Sequence, residues 1–348
     1  MTVHCDWRKG NCAKLNNRIE WIDALKGFAI LTVVIGHCVT DCISSRTFPE
    51  HAYFLQTLND FIYSFNMPLF FMISGYVFYL TKSYRKYKTK VLDFTVIYVI
   101  WCVFTWVSKF FMANDVNNPV NVMDLISIIY KPIMVYWYLY VLIFMYIIVY
   151  YMKWHEVNIG LLVCASIVAV TIKIAHLDIG IINNITYYLY FFLTGGIIQQ
   201  KNIIDKISKK QLILGITLVI VNCLLYLWLQ QTNHTYISIK GFVLANLVSV
   251  VCFKIFTEIK CKNSFLVILG TNTLQIYVMH CFFTGGLRIL FKHIGISNIT
   301  LYFILGILLG VVVPIICAKI CSKSPYLNFV FEPLGSLRKI GVVKINGY

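Results

Sequence analysis

The sequence contains little charge and few acidic residues for its length. Charged residues make up 13% of the 348 positions, only 14 are Asp or Glu, and 59% of the residues are hydrophobic. With a mean hydropathy of +0.76, this is far more apolar material than a soluble domain needs for its core. Long polar stretches are also missing, which leaves no room for a separate soluble catalytic domain. The composition therefore predicts a membrane protein.

Several signatures of other protein classes are missing. Most of the 12 cysteines fall within apolar runs, where thiols act as small hydrophobes, so no disulfide framework is predicted. His4, Cys5 and Cys12 lack the paired spacing of a zinc site, and no phosphate-binding glycine loop occurs. The first apolar run is too long for a cleavable signal peptide and lacks a small-residue cleavage site. We therefore expect no metal, and we expect the first run to remain as a membrane helix.

Apolar runs long enough to cross a bilayer of about 30 Å recur along the whole chain. The predicted fold class is an all-α polytopic membrane protein, a bundle of about ten transmembrane helices. Residues 1–20 are predicted to be a cytoplasmic N-terminal tail, 21–321 one ten-span membrane domain, and 322–348 a cytoplasmic C-terminal tail. The predicted spans are 21–43, 59–80, 91–111, 133–152, 158–175, 183–200, 210–230, 238–257, 264–285 and 299–321.

The net charge of +16 has a distribution that reflects membrane topology. Most of the 30 Lys and Arg residues lie on the side of the N-terminal tail, and few lie on the opposite side. The positive-inside rule therefore places both termini in the cytoplasm, which requires the even number of spans counted above. No nucleic-acid partner is needed to explain the basic residues. The expected localisation is a cell membrane, with membrane lipids around the bundle.

The first span carries Lys26, His37 and Asp41, although a charged residue near a helix centre in lipid costs on the order of 3 kcal/mol. Lys26 and His37 are separated by three turns plus about 20°, so they share a face about 16 Å apart along the axis. This pattern favours a path for an anionic substrate into the membrane. Alternatively, Lys26 pairs with Asp23 at the interface and His37 bonds a neighbouring helix. Asp41 either orients the imidazole or lies at the outer rim.

The second and ninth spans contain further polar candidates. Ser74 and Gly75 form a small surface that either allows a neighbouring helix to approach closely or contacts a substrate. His280 ends an apolar stretch of the ninth span, where it either lines the acceptor side or has a structural role. Both residues are candidate substrate-binding positions.

Two motifs carry a family resemblance. The first combines R-x4-D-x2-[RK]-G with [RK]-x10-H and comprises Arg18, Asp23, Lys26, Gly27 and His37; M-P-L-F-F-x2-S-G follows at 67–75. The chain resembles acyltransferase family 3, the integral-membrane O-acyltransferases that modify bacterial surface sugars. Lys26 stands where arginine is commoner in that family, which keeps the charge but loses bidentate phosphate geometry.

The resemblance implies a ten-span bundle, an acyl-CoA donor that enters from the cytoplasm, and an essential histidine at position 37. Acetyl-CoA is the expected donor, and the hydroxyl of a cell-surface or lipid-linked sugar is the expected acceptor. We expect His37 to act as general base with Asp41 beside it. Lys26, Arg85 and Lys90 are the expected donor-binding residues, although the positive-inside rule alone also explains the last two.

A polytopic transporter, or a polysaccharide polymerase or assembly protein of the cell envelope, is the alternative class. Such proteins share short loops and intramembrane charges, and transporters often contain related halves with interrupted helices. Residues 1–175 and 176–348 show no such correspondence. The charged positions concentrate instead in the first span, which favours the acyltransferase interpretation.

Overall fold

A computed structural model of the protein describes residues 19–46, 48–81, 84–116, 118–155, 158–174, 180–228, 238–259 and 264–342. These residues form helices and connecting turns, with no β-strand among them. The helices are α1 (Glu20–Ser45), α2 (Ala52–Leu80), α3 (Tyr84–Phe111), α4 (Val122–Ser127), α5 (Trp137–Trp154), α6 (Ile159–Ile174), α7 (Ile181–Lys201), α8 (Ile203–Lys206), α9 (Lys209–Trp228), α10 (Ile239–Glu258), α11 (Phe265–Thr271), α12 (Thr273–Ile294), α13 (Ile299–Cys321), α14 (Pro325–Asn328) and α15 (Pro333–Ile340).

The all-α polytopic architecture predicted from the sequence is confirmed. Eight helices within the described residues are long and apolar enough to cross a membrane, namely α1, α2, α3, α5, α7, α10, α12 and α13. Helices α6 and α9 coincide with the other two predicted spans at 158–175 and 210–230. The total of ten spans and the cytoplasmic position of both termini stay predictions.

The predicted ninth span, 264–285, differs from the structure in its boundaries and continuity. The chain forms a short helix, α11, which ends at Thr271, and α12 then begins at Thr273 and continues to Ile294. Asn272 separates the two helices, and its side chain donates to the carbonyl of Ile268 at 2.8 Å. Polar residues at 271–273 supply such local hydrogen bonds, which compete with a continuous helix.

Helix α1 lies at the centre of the bundle. It packs against α2, α10, α11, α12 and α13, and its Ala24, Leu25, Ala29 and Ile30 are fully buried. Its polar residues therefore face other helices, which removes the cost that lipid exposure would impose on Lys26, His37 and Asp41. This central position is what brings other elements to the polar face of α1.

Glycines allow the helices of two pairs, α1–α11 and α2–α7, to pack with their backbones in contact. A Cβ at Gly27 would lie 1.9 Å from the carbonyl oxygen of Leu266, and one at Gly270 would lie 1.6 Å from that of Asp23. In the α2–α7 pair, a Cβ at Gly75 would lie 1.8 Å from the carbonyl oxygen of Phe192. Close helix approach, one of the two roles considered for the Ser74–Gly75 pair, is therefore present.

Part of the segment predicted as a C-terminal tail packs against α3. Trp101 Nε1 donates to the carbonyl of Val330 at 3.0 Å, and the Trp101 and Phe331 rings are 5.7 Å apart. Asp93 Oδ1 accepts from the backbone N–H of Leu334 at 3.0 Å, at the start of α15. The segment therefore contributes to the wall of the cavity described next.

Candidate functional site

A cavity of about 400 Å³ opens among α1, α2, α3, α5 and the α11–α12 break. Most of its wall is apolar and aromatic, and it includes Val33, Met67, Phe70, Ile73, Val77, Phe94, Ile97, Tyr138, Leu139, Leu142, Tyr146, Leu274, Tyr277 and Phe331. An apolar cleft with a few polar groups is the usual form of a small-molecule site. The cavity brings together Lys26, Lys90 and Ser74, three of the residues singled out in the sequence.

Charged residues lie where α1, α3 and the C-terminal segment meet this cavity. Lys26 and Lys90 both line it, as do Asp23, Asp93 and Glu332. Lys26 Nζ lies 3.4 Å from Asp23 Oδ1, so the ion pair considered from the sequence is present. Lys26 therefore has a carboxylate beside it in its partly buried position.

Of two further predicted residues, Ser74 has a described side chain and Arg85 does not. Ser74 Oγ lies 3.0 Å from the hydroxyl of Tyr138, and both side chains line the cavity. Arg85 belongs to α3, but its side chain lies outside the described part of the structure.

The cavity reaches to within one helical turn of two histidines. Val33, which lines the cavity, is one turn before His37 on α1. Tyr277, also in the lining, is one turn before His280 on α12, and the two helices pack together. Residues at i and i+3 or i+4 share a helix face, so each histidine lies on the same face as a lining residue, one turn beyond it. Sequence spacing alone could not reveal this pairing of α1 with α12.

His37 and His280 lie side by side, with ring centroids 4.9 Å apart. His280 is fully buried, and its Nδ1 lies 3.0 Å from the carbonyl oxygen of Ile276 and 2.8 Å from that of Tyr277. Because carbonyls only accept hydrogen bonds, Nδ1 carries the proton and Nε2 is the acceptor. The thiol of Cys281 lies 3.3 Å from that Nε2.

A chain of hydroxyl groups leads to His37. Thr40 Oγ1 shares its single hydrogen among three acceptors, the carbonyl of Gly36 at 2.9 Å, Asn59 Oδ1 at 3.0 Å and the hydroxyl of Tyr63 at 3.1 Å. The hydroxyl oxygen of Tyr63 lies 3.5 Å from Nδ1 of His37, and the tautomer of the imidazole decides which of the two donates. We call Tyr63, Thr40 and Asn59 the hydroxyl relay.

Asp41 lies one turn beyond His37 and makes a different contact from the one considered in the sequence. Its Oδ2 accepts from Thr284 Oγ1 at 3.3 Å, and the positive charges of Arg288 and Lys109 act on its carboxylate. The Nδ1 of His37 contacts Tyr63 instead of Asp41. In this arrangement Tyr63 is the contact of the imidazole, and Asp41 belongs to a polar region nearer the C-terminal ends of α1 and α12.

One group of described residues has the composition of a small metal site. The ligand atoms of His37, His280 and Cys281 all lie within 4.8 Å of one another. Nitrogen and sulfur ligands of this kind suit Zn²⁺. The hydrogen bond between Cys281 and Nε2 of His280, however, already pairs two of the three donors without a metal.

Sequence reasoning missed the hydroxyl relay and the residues around Asp41. Tyr63 and Asn59 carried no signal, because their role depends on the packing of α2 against α1. Arg288 was not singled out, although His280, Thr284 and Arg288 recur every four residues on α12. That spacing places all three on one face of the helix and could have indicated a polar stripe.

Comparison with known proteins identifies the family. The sequence model of the family described as "Acyltransferase domain", acyltransferase family 3, matches residues 19–319. The chain belongs to this acyltransferase family. The match covers α1 to α13, so every residue assigned above to the cavity from these helices lies within the acyltransferase domain.

Two curated relatives share part of the sequence. Nodulation protein NolL of Mesorhizobium japonicum is 25% identical over 198 residues, which cover 55% of this chain and 51% of NolL. Nodulation protein NolL of Sinorhizobium fredii is 26% identical over 200 residues, which cover 55% of this chain and 52% of the relative. The chain spans about half the length of the curated relatives it matches. No solved structure matches the acyltransferase.

Proposed function

We propose that this acyltransferase moves an acyl group, most simply acetyl, from acyl-CoA to a hydroxyl of a cell-surface or lipid-linked sugar in the cell membrane. The observation that carries the proposal is the cavity that begins at Lys26 and Lys90 and extends to within one helical turn of His37 and His280. Its apolar depth suits an acyl thioester arm, and Lys26 and Lys90 at its charged end offer cations for the phosphates of the donor.

The donor enters from the cytoplasmic side in this proposal. Lys26 and Lys90, together with Arg85, hold the phosphates of coenzyme A, and Asp23 holds Lys26 in place through its 3.4 Å contact. The thioester arm extends along the apolar wall past Ser74 and Tyr138, whose hydroxyls offer hydrogen bonds within that wall. The acyl carbonyl then lies beside His37.

His37 acts as general base through Nε2. As the acceptor hydroxyl oxygen attacks the thioester carbonyl, its proton passes to Nε2; collapse of the tetrahedral intermediate breaks the C–S bond and expels the coenzyme A thiolate. The protonated imidazole returns the proton to that thiolate, so His37 ends each cycle neutral. This step uses the tautomer in which Nδ1 of His37 donates to Tyr63, 3.5 Å away, and Nε2 keeps its lone pair. His280 lies against the reacting imidazole and forms part of the acceptor pocket.

The acceptor approaches from the outer side, where His37, Thr40 and Asp41 are partly exposed. This arrangement separates the two substrates along α1, with the donor cavity toward its N-terminus. The base and the donor-binding groups of the proposed reaction are all side chains of the bundle.

The proposal is tested by transfer of radiolabel from acetyl-CoA into host glycans by membranes that contain the protein. His37→Ala is compared with wild type and with His155→Ala, a matched change at an exposed histidine in the turn after α5. At equal expression, label should disappear with His37→Ala and persist with His155→Ala. Equal labelling by all three proteins would refute His37 as the base, and labelling by none with any acyl donor would refute the proposed reaction.

A further inference from the structure

A buried arginine lies at the outer side of the proposed reaction site. Arg288 on α12 is 4% exposed, and its Nη2 donates to the backbone carbonyl of Asp115 at a long 3.4 Å. Its Nε is buried and has no hydrogen-bond partner among the described residues. Burial of a guanidinium without close compensation is costly, so this group is prepared for a further partner.

Arg288 continues a polar stripe that begins at the histidine pair. His280, Thr284 and Arg288 follow one another at four-residue intervals on α12, so they share one face. That face meets α1, since the rings of His37 and His280 lie 4.9 Å apart and Asp41 accepts from Thr284 at 3.3 Å. Arg288 is therefore about 12 Å beyond His280 along the helix axis, in the same polar region as the proposed base.

Charged groups of both signs lie in this region. Arg288 and Lys109 are the two cations that act on Asp41, and Asp124 also acts on Lys109. Lys109 donates to the backbone carbonyl of Asn118 at 3.1 Å, which fixes its position. The carboxylate of Asp115 contacts His293 at 3.4 Å, so Arg288 receives only its carbonyl oxygen.

We infer that Arg288 and Lys109 form an anion-binding subsite for a carboxylate or phosphate carried by the acyl acceptor. This inference rests on the proposed function, because it places the acceptor over His37. A guanidinium binds planar carboxylates and phosphates through paired hydrogen bonds, which fixes their orientation. The acceptor class is therefore an acidic sugar or a sugar phosphate, bound with a neutral hydroxyl at His37 and its anionic group at Arg288.

Burial favours the acceptor over a membrane lipid as the source of the anion. Arg288 on α12 is buried and contacts the segment after α3 through Asp115. Lys292, one turn further on α12, is exposed. A lipid headgroup would meet the exposed residue first. The stripe from Arg288 leads to His37, as required for one ligand that contacts both.

The test measures binding separately from turnover. Purified His37→Ala protein in phosphatidylcholine nanodiscs is titrated separately with methyl glucuronide, glucose 1-phosphate and neutral methyl glucoside. Binding is measured as the change in the midpoint of thermal unfolding. We expect one or both anionic sugars to raise the unfolding midpoint and the neutral sugar to have little effect. Arg288→Gln should weaken the anionic sugar by about tenfold or more, as for a hydrogen bond to a charged group. Lys292→Gln should bind like the parent.

Each alternative result has a distinct meaning. If Arg288→Gln responds like the parent to every sugar, or if the neutral sugar binds as well as the anionic ones, the subsite is refuted. If only added phosphatidylglycerol stabilises the protein through Arg288, the anion is a lipid headgroup and the acceptor subsite is refuted. If Arg288→Gln does not fold, Arg288→Lys and Lys109→Gln are used instead. Each should bind the anionic sugars more weakly than the His37→Ala parent does. Because His37→Ala is the parent throughout, absence of acetyl transfer does not affect this result.

Discussion

Removal of the Tyr63 hydroxyl should slow acyl transfer without affecting donor binding. In Tyr63→Phe the ring remains between α1 and α2, but Nδ1 of His37 loses its 3.5 Å partner and Thr40 loses its 3.1 Å acceptor. The imidazole is then free to adopt the other tautomer or to rotate, which reduces the fraction of the enzyme with Nε2 available as a base.

The expected magnitude follows from the hydrogen bond that is lost. A neutral hydrogen bond contributes about 0.5 to 1.5 kcal/mol, which corresponds to a fall of about 2- to 12-fold in kcat. The KM for acetyl-CoA should stay at the wild-type value, because Tyr63 does not line the donor cavity. Tyr53→Phe, at a position on α2 that is 52% exposed, removes an equivalent hydroxyl and should have no effect.

The measurement is the initial rate of acetyl transfer at varied acetyl-CoA concentration by membranes with equal amounts of each protein. A double variant with Thr40→Val provides a second check, because residues of one relay should show non-additive losses. If Tyr63→Phe keeps the wild-type kcat, or raises the KM for acetyl-CoA instead, the role assigned to the relay is wrong.

Four further changes test other parts of the structure. Gly270→Ala should lower the thermal midpoint and expression strongly, because its Cβ would lie 1.6 Å from a carbonyl oxygen of α1, whereas Gly285→Ala, with open space, should not. Lys26→Ala should raise the KM for acetyl-CoA about tenfold and weaken its salt dependence, as measured in initial rates at two ionic strengths. Ser74→Phe should narrow the donor cavity and penalise longer acyl donors more than acetyl-CoA in competition assays. Acetyl transfer should persist in the Cys281→Ser variant and also in wild type treated with EDTA. Loss of activity in either case would favour a metal at the histidine pair.

The all-α polytopic architecture was predictable because long apolar runs follow directly from the physics of the bilayer. Lys26 and His37 were noticed for a related reason, since polar side chains in an apolar helix are costly and stand out in the sequence. The break at Asn272 was not, because residues 264–285 are apolar enough to resemble one continuous span.

The environment of His37 depends on contacts between helices distant in sequence. Thr284 meets Asp41 from 243 positions away, and His280 reaches His37 through the packing of α12 on α1. Hydropathy and spacing describe each helix separately, so they cannot show which polar groups meet. For this reason Asp41 looked like the partner of His37 from its four-residue spacing, whereas Tyr63 of α2 makes the contact in the structure.

The central claim is that His37 joins a cytoplasmic donor cavity to an acceptor on the outer side. It is tested most directly with sealed membrane vesicles of both orientations, supplied with radiolabelled acetyl-CoA in the external medium. Inside-out vesicles with wild-type protein should label glycans enclosed in the lumen, right-side-out vesicles should not use the external donor, and His37→Ala should label neither. Labelling by right-side-out vesicles from external acetyl-CoA, or labelling that persists with His37→Ala, would contradict the account.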